Sequence, residues 1–283
     1  MDIVDTQVHL NHWMDEATTI AAMNALGISA MLVDEAWDFG EGRPPHAALP
    51  YYVTKHGANR PISPGGSAAA LRHPDRFSFL LRVNPLDPEL EAWVEQAAAT
   101  PGFRAMRYLL ADKDDAAALL AGARMGFFQA ASDHDLVVFA GGHSHAPLFE
   151  PYAKAFPSLP IVIDHCGFPL GEGAFERTLD LARYPNVHLK WSHAPCVFGA
   201  KAFPYPEVRP FLNRALEAFG RERIMWASDF TAEPAVRTTC GGPDVRWADA
   251  LYYMKCNPDL SEGDLEWVLG GTARKVLRWE QAA

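Results

Sequence analysis

Histidines and carboxylates in this chain sit at the ends of short apolar runs. Asp5-Thr6-Gln7-Val8-His9 closes the first run, Gly141-Gly142-His143-Ser144-His145 follows the fifth, Asp164-His165 closes the sixth and Ser228-Asp229 closes the eighth. An imidazole gains and loses a proton near neutral pH and offers a lone pair to a metal. A carboxylate beside it can accept the proton of an attacking water. Residues of these types, if the fold brings them together, are suited to acid–base chemistry or to holding a metal ion.

Gln7 and His9 are two apart on one strand and should share a face. A polar pair at the top of a buried strand needs partners or a ligand. Asp229 is the leading candidate for a base or a ligand carboxylate; its bland alternative is a cap for the following turn. His165 could hold or relay a proton, and Asp164 before it should point the other way and be structural. Gly141-Gly142 permits a sharp turn after the fifth run, with His143 favoured over His145 because it is nearer the strand. Arg82, Arg107 and Lys190 lie at or near the ends of the third, fourth and seventh runs. Cations there need anionic partners. A guanidinium fork suits a substrate carboxylate, and the alternative is an ion pair with a protein acid. Cys166 beside His165 reads as a small core residue.

The elements that must position these groups alternate between β-rich and amphipathic runs, the pattern of repeated βα units. Eight strands are predicted, at Ile3 to Val8, Ser29 to Val33, Phe77 to Val83, Phe103 to Tyr108, Leu136 to Ala140, Ile161 to Ile163, Val187 to Lys190 and Ile224 to Ala227. Several are continuously apolar, as strands covered on both faces should be. The predicted helices are Glu16 to Leu26, Pro88 to Ala99 with Asp87 as N-cap, Asp114 to Ser132, Leu148 to Phe156, Gly173 to Tyr184, Glu207 to Phe219, Val245 to Lys255 and Glu262 to Leu269. Eight such units imply a single (β/α)8 TIM barrel domain over residues 1–283, whose C-terminal strand ends converge on one face. An open doubly wound sheet is the alternative, and it would not use all the strand ends together. After the second strand, Glu35 to Gly66 is too long for a plain connection. It should wall or cover the site, with Trp37, His46, Tyr51, Tyr52, His56 and Arg60 within reach of a substrate.

Of 283 residues, 49% are hydrophobic, enough for a sizeable core, and the net charge of −10 argues against nucleic acid or an anionic membrane as partner. The acidic start, Met1-Asp2-Ile3-Val4-Asp5, reads as no signal peptide. No apolar run is long enough to span a bilayer. Four cysteines without CxxC spacing read as reduced thiols. The expectation is therefore a cytoplasmic protein acting on a small anionic molecule, with homo-oligomerisation left open. GxSxG, Walker and HExxH motifs are absent, as is a dinucleotide fingerprint after the first strand.

The chain resembles the amidohydrolase superfamily, in the amidohydrolase-2 branch of small barrel hydrolases and lactonases. The resemblance rests on Asp5 to His9, Arg76-Phe77 to Arg82 with Pro85-Leu86-Asp87-Pro88, Phe103 to Arg107, Ile163 to Gly167, Asn186 to Ser192, Met225 to Asp229 and Val268 to Ala273. It implies a first-strand HxH, a fifth-strand His, a sixth-strand His and an eighth-strand Asp. His9, His143, His165 and Asp229 match, whereas Gln7 stands where the pattern has histidine. No lysine ends the fourth strand, so a binuclear site is not implied. The resemblance implies one divalent cation, zinc or manganese, on Gln7, His9, His143 and Asp229, or a metal-independent lactonase. It implies a hydrolase of a carboxylated lactone or related cyclic ester or amide, with Asp229 and His165 catalytic and Arg82, Arg107, Lys190 and Trp37 on the substrate. The alternatives are a metal-dependent nonoxidative decarboxylase and a degenerate, non-catalytic barrel.

Overall fold

The computed structural model describes residues 1–9, 15–34, 51–110, 112–142, 144–231 and 245–280. Eight parallel strands follow one another around a barrel: β1 (Val4–His9), β2 (Ala30–Asp34), β3 (Phe77–Arg82), β4 (Phe103–Leu109), β5 (Val137–Gly141), β6 (Ile161–Ile163), β7 (Val187–Trp191) and β8 (Ile224–Trp226). Closure is made by the last strand changing partners. Ile224 to Trp226 pair with β7, and the chain then bends so that Phe230–Thr231 pair with Val8 and His9 of β1. All eight strands are read correctly from the sequence to within a residue or two, because each is an apolar run bounded by turn residues.

Alternation along the strands divides the core in two. Val4, Ala30, Leu32, Leu80, Ala105, Val137, Phe139, Val162 and Met225 pack with one another inside the barrel. Ala273, Val276, Leu277 and Trp279 join them and close the N-terminal end. Their strand neighbours, among them Met31, Val33, Phe79, Met106, Val138, Ile163, Leu189 and Trp226, face the surrounding helices. A Cβ on Gly270 would lie 2.2 Å from the Asp2 carbonyl oxygen, so only glycine lets the C-terminal segment pack this closely under β1.

One irregularity matters for the site. The register of β1 on β2 runs Val4↔Ala30, Asp5↔Met31, then Val8↔Val33. Two residues of β1, Thr6 and Gln7, oppose Leu32 alone, which is a β-bulge. The bulge lets Val4 face the apolar interior while Gln7 and His9 also face inward. Strict alternation from Val4 would have sent those two out among the helices.

The structure differs from expectation around the helices in several places. The Ala-rich segment is two helices, Lys113–Leu120 and Met125–Asp133, broken at Gly122, whose φ of +75° lies in the left-handed region that suits glycine. The last predicted helix is a short α-turn, Glu262–Glu266, passing through a π-turn, Trp267–Gly271, into Thr272–Val276. The described part of the long segment after β2 holds a hairpin (Tyr51–Val53 with Asn59–Pro61) and a helix, Pro64–Arg72, that periodicity did not reveal. Asp87 does not cap its helix, where Glu89 takes the N-cap place; Asp87 instead accepts from the Glu89 amide and from Arg60. Among the described residues no helix is long and apolar enough to cross a membrane.

Candidate active site

Above the apolar interior, the inward positions of the strand ends become polar and charged. β1 contributes Gln7 and His9, β2 Asp34, β3 Arg82, β4 Arg107 and β7 Lys190, while Asp164 follows β6 and Asp229 follows β8. β5 contributes Gly141, where an added Cβ would lie 2.8 Å from Leu109 Cδ2 and 3.1 Å from Asp164 Oδ2. Its missing side chain leaves room for a ring of ion pairs.

The ring alternates in charge. Arg82 donates from Nε and Nη2 to the two Asp34 oxygens at 3.1 and 3.0 Å, and Arg107 Nη1 also donates to Asp34. Arg107 Nε donates to Asp164 Oδ2 at 2.7 Å, and the other Asp164 oxygen lies 2.6 Å from Lys190 Nζ. Lys190 Nζ then donates to Gln7 Oε1. The Lys190 side chain is completely buried, and its ammonium lies 5.1 Å from the Phe139 ring centre. Burial pulls the Lys190 pKa down and the nearby carboxylates pull it back. Burial alone would raise Asp34, yet Arg82, Arg107 and His9 bring it down to about 2. Asp164 is likewise held below its ordinary value by Arg107 and Lys190 against the effect of burial.

Asp164 therefore does not point away, as strict alternation implied. The strand stops at Ile163, and His165 and Cys166 take left-handed φ of 49° and 57°, so Asp164 and His165 both turn into the barrel mouth. Arg107 Nη2 donates to His165 Nε2 at 2.8 Å, which leaves the proton on Nδ1, facing Ser192 Oγ at 2.8 Å. Burial, with Lys190 close by, keeps this ring neutral and its pKa well below the ordinary histidine value.

Asp229 sits where the barrel closes. Its φ of 53° and the hydrogen bond that its backbone N–H donates to the Gln7 carbonyl oxygen, at 3.0 Å, turn the buried carboxylate across the mouth. His9 Nε2 is 2.9 Å from Oδ1, His193 Nε2 contacts Oδ2, and His165 Nδ1 lies 4.0 Å from Oδ2. Burial would raise the Asp229 pKa, but His193, His165 and His9 hold it well below the usual carboxylate value. His9 Nδ1 faces the Asp34 carbonyl oxygen, which can only accept, so that nitrogen carries a proton. His9 Nε2 lies between the Asp229 carboxylate and the Gln7 amide nitrogen, the latter at 2.9 Å.

The strand ends thus bring together Gln7, His9, Asp34, Arg82, Arg107, Asp164, His165, Lys190 and Asp229. Arg107 and Lys190 direct their charge at protein carboxylates, and Arg82 bonds Asp34 while remaining partly exposed. Trp37, His46 and His143 lie outside the described residues. Arg60 is tied to Asp87 and Glu89, and His56 lies 3.7 Å from Glu89. Asp34 and His193 were not singled out in the sequence. Asp34 ends an apolar strand just as Asp229 does, and the same signal would have found it. His193 lies beyond β7 at a left-handed φ of 53°, a position that no strand periodicity reveals.

Among the described residues, His165, His193 and Asp229 each offer one ligand atom within 4.8 Å of the others, so the site could bind a metal ion. Ligation through His165 would exchange a bond to Arg107 or Ser192 for one to the ion. Gln7 Oε1, the expected first-strand donor, already accepts from Lys190, so an ion drawn to its second lone pair would sit beside the ammonium.

A family model described as amidohydrolase matches residues 67–279. An L-fucono-1,5-lactonase from Burkholderia ambifaria is 31% identical over 146 residues, which are 48% of this chain and 49% of that protein. The match thus spans about half the length of that curated relative. A candidate 2-pyrone-4,6-dicarboxylic acid hydrolase from Pseudomonas putida superposes with a TM-score of 0.70 at 18% identity, covering 99% of each chain. A zinc-bound amidohydrolase from Burkholderia multivorans superposes with a TM-score of 0.67 at 16% identity, covering 99% of this chain and all of that one.

Proposed function

The chain belongs to the amidohydrolase family, and on that premise we propose that it hydrolyses a small lactone, or another cyclic ester or amide, that carries a carboxylate. The observation that carries the reading is Asp229: a buried carboxylate at the barrel mouth with one oxygen against His9 and the other against His193. The half-length likeness to a lactonase supports a ring-opening reaction on an oxygenated acid.

In this reading Asp229, kept ionised by its imidazole neighbours, accepts the proton of a water as the water attacks the substrate carbonyl. His9 orients one oxygen of that carboxylate and exchanges a proton with it without moving, since its Nδ1 is anchored on the Asp34 carbonyl. His193 orients the other oxygen and stands ready to protonate the departing ring oxygen. His165, braced between Arg107 and Ser192, holds a neutral ring beside the reacting group. Arg82, the most exposed cation of the ring, faces the substrate carboxylate, with Arg107 and Lys190 behind it supplying positive potential. A zinc or manganese ion held by His165, His193 and Asp229 would polarise the carbonyl when bound.

The test is a panel of carboxylated lactones followed by proton release and by NMR of the product. Ring opening supports the reading. Release of carbon dioxide from an aromatic or unsaturated acid would assign a nonoxidative decarboxylase instead. Tight binding of the same acids with no turnover of any would assign a non-catalytic barrel.

A further inference from the structure

We propose that Gln7 and Lys190 act as a pair that withdraws Gln7 from metal binding, so that any divalent cation in this barrel is held without a ligand from position 7. Two of the observations concern the amide. Its oxygen accepts from the Lys190 ammonium, and its nitrogen stands 2.9 Å from His9 Nε2. The ammonium fixes which way round the amide lies, because the flipped amide would set N–H groups against a group that can only donate. In that orientation Gln7 presents N–H donors, not a lone pair, to the space shared with His9 and Asp229. A metal ligand must do the reverse.

Lys190 itself cannot retreat. Its side chain is fully buried, its ammonium is paired with Asp164 at 2.6 Å, and the interior beneath it is the apolar layer containing Phe139. A divalent ion drawn toward Gln7 would meet a buried positive charge one amide away. Glutamine at position 7 and lysine at position 190 therefore belong together: the lysine needs an uncharged acceptor, and the glutamine needs a fixed donor. This rests on the site described above but not on the identity of its substrate.

The test is calorimetric titration of zinc into the chelator-treated full chain, comparing the wild type with Gln7→Ala, Gln7→His and Gln7→His/Lys190→Met. The pair predicts that Gln7→Ala leaves zinc affinity within about twofold of wild type. The double variant, which restores an imidazole and removes the ammonium, should bind zinc at least about tenfold more tightly, the scale on which supporting groups tune metal sites. Gln7→His alone should gain less than the double variant. A tenfold loss in Gln7→Ala would make Gln7 a ligand and overturn the proposal. So would a folded double variant, checked by circular dichroism, with no gain over wild type. These readouts do not depend on turnover, so a failed lactone assay and a failed pairing are told apart.

Discussion

His9 Nε2 lies 2.9 Å from Asp229 Oδ1, although 220 residues separate the two in the chain. The contact spans the seam at which the first and last strands close the barrel, so barrel closure and assembly of the reacting group are the same event. Asp229→Asn keeps the shape of that contact and removes the base. It should lower kcat by about 10²–10⁴-fold, the usual contribution of a general base, with the circular dichroism spectrum unchanged. Turnover within threefold of wild type would take Asp229 out of the chemistry.

The two ring arginines should respond differently to removal. Arg107 is 2% exposed and bridges Asp34 to Asp164. Arg107→Met leaves two buried carboxylates short of a partner and should cost about 3–5 kcal/mol in urea unfolding. Arg82 shares Asp34 with Arg107 and reaches the mouth. Arg82→Met should cost less than half as much stability and act chiefly by raising KM. Equal stability losses, with KM unmoved in both, would mean that both arginines are purely structural.

Asp34 adds a pH signature. Its folded pKa of about 2 lies below the ordinary carboxylate value. A depressed acid stabilises the fold above its unfolded pKa, and that stability is lost as pH falls through the folded value. Asp34 should therefore contribute roughly 2 kcal/mol at pH 5 that disappears between about pH 4 and pH 2. Asp34→Asn should remove this arm of the stability–pH curve; an unaltered slope there would count against the pairing with Arg82 and Arg107.

His188 governs a different window. It is buried low on β7, and burial, with Arg223 and Lys275 adding to it, brings its pKa down to about 4. The unfolded chain binds a proton below about pH 6.5 that the folded chain refuses until about pH 4, so stability falls with acid across that range. The loss from this one residue should be about 3 kcal/mol. Urea midpoints of His188→Gln at pH 4 to 7 should show a flatter profile than wild type. Parallel profiles would mean that the ring is protonated in place. Asp5 has the opposite sign, since burial raises it to about 6 and its contribution declines as pH rises from about 4 to 6.

The barrel was legible because its strands are apolar runs with polar ends, and the same pattern placed Gln7, His9, Arg82, Arg107, Lys190 and Asp229 at one pole. What escaped the sequence depends on backbone that leaves the strand geometry. Alternation points Asp164 outward only if it extends past Ile163, where left-handed residues end it. His193 escaped for the same reason. The partners of Arg107 and Lys190 also could not be chosen in advance. A cation at a strand end suits a substrate acid or a protein acid equally well until the neighbouring strand is in register.

The bulge at Thr6 and Gln7 makes the number of residues in β1 as consequential as their identity. Adding one residue between Asp5 and Gln7, with the bulge kept, would leave every side chain of the strand in the sequence and every strand in the barrel. Yet Gln7 and His9 would rotate into the layer of helices, and Val8 would take a place at the mouth. Lengthening, which a barrel of this kind tolerates in its connecting segments, is therefore forbidden at this point of the first strand. A chain lengthened here would keep its architecture and lose the seam contact that unites His9 with Asp229.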